Sequence, residues 1–300
     1  MRNLRAKIPI FAVAMGGLGN QMFIFTSGLL VASMQRRKFF IVTEWYNKQQ
    51  RGDHLKNYER KLEISKFPNI EKQYILKSKS LNFCLFYIYK LSVKFKNLSA
   101  RLRVVDMDLP YVRINKALIL YGNMHNDNGY ADLKADLELM FKMSDSEEVY
   151  VREVINTLKM NNPLLVAVHI RRGDLTVPGN VYNLLPKSYY EKAIKNFDPQ
   201  DVKFLFFSDD ISWCKENFSG EKYSFIEEKD PVKSLRLMSL CDHYILSSST
   251  LSWWGAWLTQ NPFAVVYFPQ VQELGGSACV MRSCPQPRWR GIPAEFVNTI

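Results

Sequence analysis

The sequence has no apolar run long enough to cross a membrane. The run nearest its start, Ile8 to Met15, falls far short of the ~20 residues a spanning helix needs, and Pro9 interrupts it. No small-residue cleavage site follows, because Gly16-Gly17-Leu18-Gly19-Asn20 comes directly after, so the segment reads as a buried first strand. Cysteine is scarce: Cys84, Cys214, Cys241, Cys279 and Cys284 make an odd five, with no C-x-x-C pair and no partnering His cluster. That argues against a disulfide framework and a structural zinc site, and fits a reducing cytoplasm. Low complexity is absent as well, with 13 Pro and 14 Gly spread along a chain that is 47% hydrophobic and 23% charged. Nor is there a dinucleotide fingerprint: G-x-G-x-x-G needs glycines at relative positions 1, 3 and 6, whereas Gly16, Gly17 and Gly19 stand at 1, 2 and 4.

What is present is a globular chain of 300 residues, enough for one large domain or two of roughly 100–200 residues each. Its net charge of +11 is lopsided. Residues 1–110 hold 20 basic and 7 acidic side chains, a net +13, and the remaining 190 residues come to −2. The basic third suits an anionic partner, a nucleic acid or a membrane surface, or else is a solvated face.

The chain opens as βαβ: a strand over Ile8–Met15, a tight turn at Gly16–Asn20, a helix over Gln21–Arg36 and a second strand over Lys38–Val42. That order predicts a parallel sheet with helices on its faces. Residues 47–110 are less regular and admit a helical hairpin. Ser144-Asp145-Ser146-Glu147-Glu148 reads as a capped helix start, and the helix runs to about Met160, where Asn161-Asn162-Pro163 ends it and marks a domain boundary. Beyond lie four apolar strands, Leu164–Ile170, Lys203–Phe207, Tyr244–Leu246 and Ala264–Phe268, three of which end in polar clusters. In open α/β sheets ligands collect at those carboxyl ends.

The clusters carry the chemistry. His169-Ile170-Arg171-Arg172-Gly173-Asp174 places two guanidiniums at a strand end, where they must be paired or exposed; their forked donors suit a diphosphate, with Asp174 near enough to hold one in place. Ser247-Ser248-Ser249-Thr250 opens a helix with hydroxyls and unsatisfied N–H groups, a natural anion site. Trp253, Trp254 and Trp257 behind it read as helix-to-sheet packing. Ser208-Asp209-Asp210 puts carboxylates at another strand end, to accept from a guanine or ribose hydroxyl or to cap the next helix. The one DxD-type pair, Asp106-Met107-Asp108, reads as surface rather than as a metal site.

Together, Gly16-Gly17-x-Gly19-Asn20-Gln21, His169-x-Arg171-Arg172-Gly173-Asp174, Ser208-Asp209-Asp210 and Ser247-Ser248-Ser249-x-x-Ser252-Trp253-Trp254-Gly255-Ala256-Trp257-Leu258 resemble the ordered motif set of the α-1,2-fucosyltransferases, the inverting GDP-fucose-dependent enzymes of the bacterial and blood-group H type. The resemblance implies a GT-B-type fold, two Rossmann-like domains facing across a cleft. Residues 1–160 would form the acceptor-side domain and 161–300 the GDP-fucose-binding one, with a last helix returning to the first. It implies no divalent metal and no cofactor. The acceptor would be a galactose-terminated oligosaccharide or lipid-linked glycan. Residues 47–110 and 278–300 match nothing in the family.

Transfer from a β-linked nucleotide to an α-linked product inverts C1, a single displacement through an oxocarbenium-like transition state. Arg171 and Arg172 are best suited to stabilise the departing diphosphate. Asn20, by resemblance, would orient the acceptor hydroxyl or a phosphate oxygen; an amide is no base at neutral pH, and His169 and Asp174 are candidates for that role or for supporting the arginines. Other GDP-sugar transfers, of α-1,6 or protein O-fucosyl type, remain alternatives. A non-catalytic carbohydrate-binding protein has no use for the Arg-Arg strand end, and a nucleic-acid-binding protein would need a module that is not there. The basic, aromatic stretch from Lys72 to Arg103 instead suits peripheral contact with the anionic inner face of a membrane.

Overall fold

The structure, a computed structural model, describes residues 8–48, 60–95, 102–107, 118–125, 127, 129–160, 163–176, 184–197, 201–271 and 286–295. The chain divides into two compact units, Met1–Ser144 and Asp145–Ile300. Each is built on a parallel sheet with helices, the α/β class expected. No helix among the described residues is long and apolar enough to cross a membrane.

The first unit contains β1 (Ile10–Val13), β2 (Phe39–Val42), β3 (Val104–Asp106) and β4 (Ile119–Tyr121), all parallel and ordered β2-β1-β4-β3. Every residue of β1 is buried, as a central parallel strand covered on both faces requires. Helix α1 (Leu18–Gln35) begins earlier than the sequence suggested, because the turn needs only Gly16, at φ +74°, and Gly17, its N-cap. Asn20 and Gln21 therefore stand in its first turn. Helices α2 (Glu44–Lys48), α3 (Pro68–Tyr74), α4 (Lys79–Lys94) and α5 (Lys134–Met140) complete the described part. The side chain of Ser78 caps α4 by accepting from Leu81 N. Asn82 anchors this helix, donating to Leu76 O at 2.6 Å and accepting from Thr43 N at 2.8 Å, while Leu85 and Phe86 enter the core.

The second unit starts with α6 (Asp145–Leu158), which the sequence had assigned to the first. Glu148 explains the difference: it takes both Nε and Nη2 of Arg236, on the helix Pro231–Ser239 of the second unit, and that ion pair pulls the Glu148 carboxyl below its usual range. The acidic first turn was legible because Asp145, Glu147 and Glu148 favour a helix start.

Six strands follow: β5 (Leu164–Ile170), β6 (Val202–Ser208), β7 (Tyr223–Ile226), β8 (His243–Ile245), β9 (Val266–Val271) and β10 (Arg290–Ala294). They are parallel and run β10-β9-β8-β5-β6-β7, the doubly wound order in which the chain reverses direction between its first strand and its fourth. Helices α7 (Lys187–Lys195), α8 (Ile211–Asn217), α9 (Pro231–Ser239) and α10 (Thr250–Trp257) connect them. Trp253 and Trp254 are fully buried, so burial contributes roughly 4–6 kcal/mol each as an upper bound. Gly255 lets α10 approach α9, since a Cβ there would stand 3.0 Å from Met238 Cβ. Pro293 is tolerated in β10 because that strand is at the sheet edge. This edge strand is what the described residues of the unmatched tail form; the returning last helix lies outside them.

Candidate active site

In the second unit the reversal of strand order falls between β5 and β8, where ligands of such sheets bind. The register that pairs Ile170 with Ser208 brings the residues after β5 against those after β6. Arg171 forms an ion pair with the Asp209 carboxylate. The other oxygen of Asp209 accepts from the backbone amides of Arg172 at 2.8 Å and Gly173 at 3.1 Å. Arg172 gives its Nε to Asp210 at 3.0 Å and lays its guanidinium over the Trp213 ring, 4.1 Å from the centroid. The ion pair uses Nε, so it does not consume the Nη1–Nη2 fork. Asp210 also caps α8, accepting from Trp213 N at 3.2 Å. The carboxylates that hold the arginines are thus Asp209 and Asp210; the side chain of Asp174, expected to do so, lies outside the described residues.

Across the reversal point, His169 Nδ1 meets Ser247 Oγ at 2.7 Å, tying β5 to the segment after β8. His169 is 7% exposed, and burial pushes its imidazole down to about 4, with the Asp209 charge opposing and the Arg171 charge assisting. It is a neutral ring at physiological pH, placed to orient Ser247. Ser249 caps α10 through Leu251 N, and Thr250 is the first residue of that helix. Ser248 Oγ is buried and without a hydrogen bond among the described residues. A hydroxyl left unmet when buried costs about 1–3 kcal/mol.

In the first unit the expected turn is clamped by Gln21, which is 1% exposed. Its amide nitrogen donates to Gly16 O at 3.0 Å and to Lys61 O at 2.8 Å, and its oxygen accepts from Ile64 N at 2.9 Å. Tyr46 donates to Gly16 O at 3.1 Å, and burial raises its phenol well above the usual range. Gly19 is buried in the first turn of α1 beside Asn20. Asn20 Oδ1 faces His125 Nε2 at 3.4 Å.

His125, Tyr46 and Arg60 were not singled out in the sequence. Arg60 Nη1 comes within 3.5 Å of where a Cβ on Gly17 would stand. His125 leaves β4 in a loop bent by Gly122 at φ +110° and Met124 at φ +56°. A buried methionine in the left-handed region is strained by about 1–2 kcal/mol, which accompanies functional loops more often than others. No sequence signal located it, because the contact joins residues 105 positions apart. Asp106 ends β3, and Asp108 lies outside the described residues.

Set against known proteins, residues 118–273, just over half of the chain, match the family described as Glycosyl transferase family 11. An alpha-1,2-colitosyltransferase of Escherichia coli is 27% identical over 272 residues, covering 85% of this chain and 89% of that one. A rat (Rattus norvegicus) galactoside alpha-(1,2)-fucosyltransferase 2 is 26% identical over 193 residues, 56% of this chain and 51% of that one. The solved NodZ alpha-1,6-fucosyltransferase, co-crystallised with GDP, overlays with a TM-score of 0.48 at 12% identity, covering 87% of this chain and 96% of that one.

Proposed function

The chain belongs to glycosyl transferase family 11, and from that premise we propose that it transfers L-fucose from GDP-β-L-fucose to the 2-hydroxyl of a terminal β-galactose, giving an α-1,2-fucoside with inversion. The observation that carries the reading is the pair of guanidiniums, Arg171 and Arg172, held by Asp209 and Asp210 at the reversal point of a doubly wound sheet. A nucleoside diphosphate leaving group develops negative charge as the glycosidic bond breaks. Fixed positive charge aimed at it is worth about 3–4 kcal/mol for each contact made only in the transition state. The amides and hydroxyls at the start of α10, from Ser247 to Thr250, add donors to the same diphosphate. With that charge supplied by arginine, the proposed reaction runs without a divalent metal.

The acceptor is assigned to the first unit, where Gln21 fixes the glycine turn and His125 faces Asn20. Asn20 would orient the acceptor hydroxyl. The electron pair of the breaking C1–O bond goes to GDP, the acceptor oxygen bonds to C1 from the opposite face, and its proton leaves to solvent or a weak base. His169, buried and neutral with its Nδ1 on Ser247, suits a positioning role.

A second reading keeps the chemistry and changes the donor to colitose, as the name of the Escherichia coli relative favours. Product analysis with GDP-fucose, GDP-colitose and a panel of β-galactosides tests both. An α-1,2-fucosylated product supports the proposal. Turnover of GDP-colitose alone moves it to the second reading, and no turnover of either donor with GDP failing to raise the melting temperature overturns both. The basic N-terminal third supports a further expectation, peripheral contact with an anionic membrane surface, as befits a lipid-linked glycan acceptor.

A further inference from the structure

Helix α4 turns an apolar row toward solvent. Phe83, Tyr87 and Leu91 are spaced four residues apart along it and are 46%, 40% and 47% exposed. The Phe83 and Tyr87 rings lie against one another, centroids 4.4 Å apart. The opposite side of the helix is already committed, Asn82 to backbone groups and Leu85 and Phe86 to the core. The outward row is therefore not a core face left open by mistake in the helix's own rotation. It extends about 12 Å along the axis. Lys79, Lys90 and Lys94, all exposed, border it, and α4 contains no acidic residue.

An exposed apolar row bordered by cations of one sign has a specific complement, a surface apolar in depth and anionic at its rim. We infer that α4 lies in the headgroup region of an anionic bilayer, with Phe83, Tyr87 and Leu91 inserted among the acyl chains and the lysines on lipid phosphates. Tyr87 fits that boundary, since its ring is apolar and its hydroxyl remains hydrated. The inference rests on the reading of a membrane-side acceptor but makes a sharper claim. Charge alone would bring the basic third to a membrane and release it in salt; insertion adds a part that salt does not screen. The row also has no counterpart in donor chemistry, so its loss leaves transfer to a soluble acceptor intact.

The test is cosedimentation of the full chain with phosphatidylcholine vesicles and with vesicles containing phosphatidylglycerol, at low and high salt. Binding is expected on the anionic vesicles, with a residue of it persisting in high salt. Phe83→Ser/Tyr87→Ser/Leu91→Ser is expected to weaken that binding roughly tenfold or more, while Lys79→Gln/Lys90→Gln/Lys94→Gln reduces its salt-sensitive part. Both variants are to keep the wild-type melting temperature and the wild-type rate on a soluble β-galactoside, which separates failure of docking from failure of the proposed reaction. A fluorophore on Cys84, which is exposed on this helix, with Cys279 and Cys284 changed to Ser, should shift to the blue on the anionic vesicles. Negligible binding to both vesicle types overturns the inference. So does binding that the serine variant leaves unchanged, and so does concentration-dependent self-association, lost in the serine variant, without vesicle binding.

Discussion

Replacing Arg172 by lysine keeps the charge and removes everything else that the structure gives this side chain. The guanidinium stacks 4.1 Å over Trp213 and binds Asp210 through Nε at 3.0 Å. Its side chain is 18% exposed, so both contacts are partly screened. Loss of the stacking, about 0.5–2 kcal/mol, with the ion pair partly kept by lysine, sets the expected fall in stability at roughly 1–2 kcal/mol. The catalytic effect should be larger. A single ammonium cannot replace a fork on a diphosphate, and a full contact of this kind is worth about 3–4 kcal/mol in the transition state. With the charge retained, a loss of about 2.7 kcal/mol, or about a hundredfold in kcat/KM, is expected. Trp213→Leu separates the parts: the fork stays while its platform goes, and the expected loss is about three- to tenfold. Initial rates over a range of donor concentrations, with urea midpoints on the same preparations, supply the numbers. An Arg172→Lys enzyme within about threefold of the wild-type kcat/KM would refute the assignment of the leaving group to this arginine.

Three further outcomes are expected. His169 titrates near 4 when folded and near 6.5 when unfolded, so its contribution is complete above pH 6.5 and is lost as the pH falls from 6.5 toward 4. The loss reaches up to about 3 kcal/mol; half-buried His243, lowered in the same direction, adds to it, and a His169→Gln chain should show a shallower fall in urea midpoint over that range. Gly16→Ala should cost about 1–2 kcal/mol, because its φ is +74° and the new Cβ would stand 2.8 Å from Asn20 Nδ2, and should lower kcat as Asn20 is displaced; wild-type stability and rate together would remove the turn from the argument. EDTA should leave the initial rate unchanged, and abolition with rescue by manganese would return Asp106 and Asp108 to consideration.

Much of this was legible because strand ends carry their own punctuation. Leu164–Ile170 is an apolar run closed by two arginines, a pattern with few structural readings. Proximity along the chain pointed to Asp174, whose side chain lies outside the described residues; Asp209 and Asp210, which parallel pairing of β5 with β6 brings against the arginines, were not legible as their partners. Strands β7 and β10 escaped notice for different reasons. Tyr223–Ile226 is short and alternates weakly, and Arg290–Ala294 contains a glycine and a proline that only an edge position excuses. Leu18 and Gly19 read as turn in the sequence, whereas both are buried in the first turn of α1, which therefore starts earlier. His125 could not be found at all without the fold.

The bond from His169 to Ser247 joins residues 78 apart in the chain, and β6 and β7, which lie on the other side of β5, intervene in sequence between β5 and β8. Such pairing is slow to form, because the entropy of closing the long loop must be met before any contact returns it. Arg171 and Asp209, 38 residues apart, are brought together by the shorter crossover. The half of the proposed site that carries charge is therefore expected to take shape before the half that carries hydroxyls. In the proposed complex a diphosphate touching both halves would act as a staple on the least local pairing among the described strands of this sheet, favouring the finished fold over every intermediate that lacks β8.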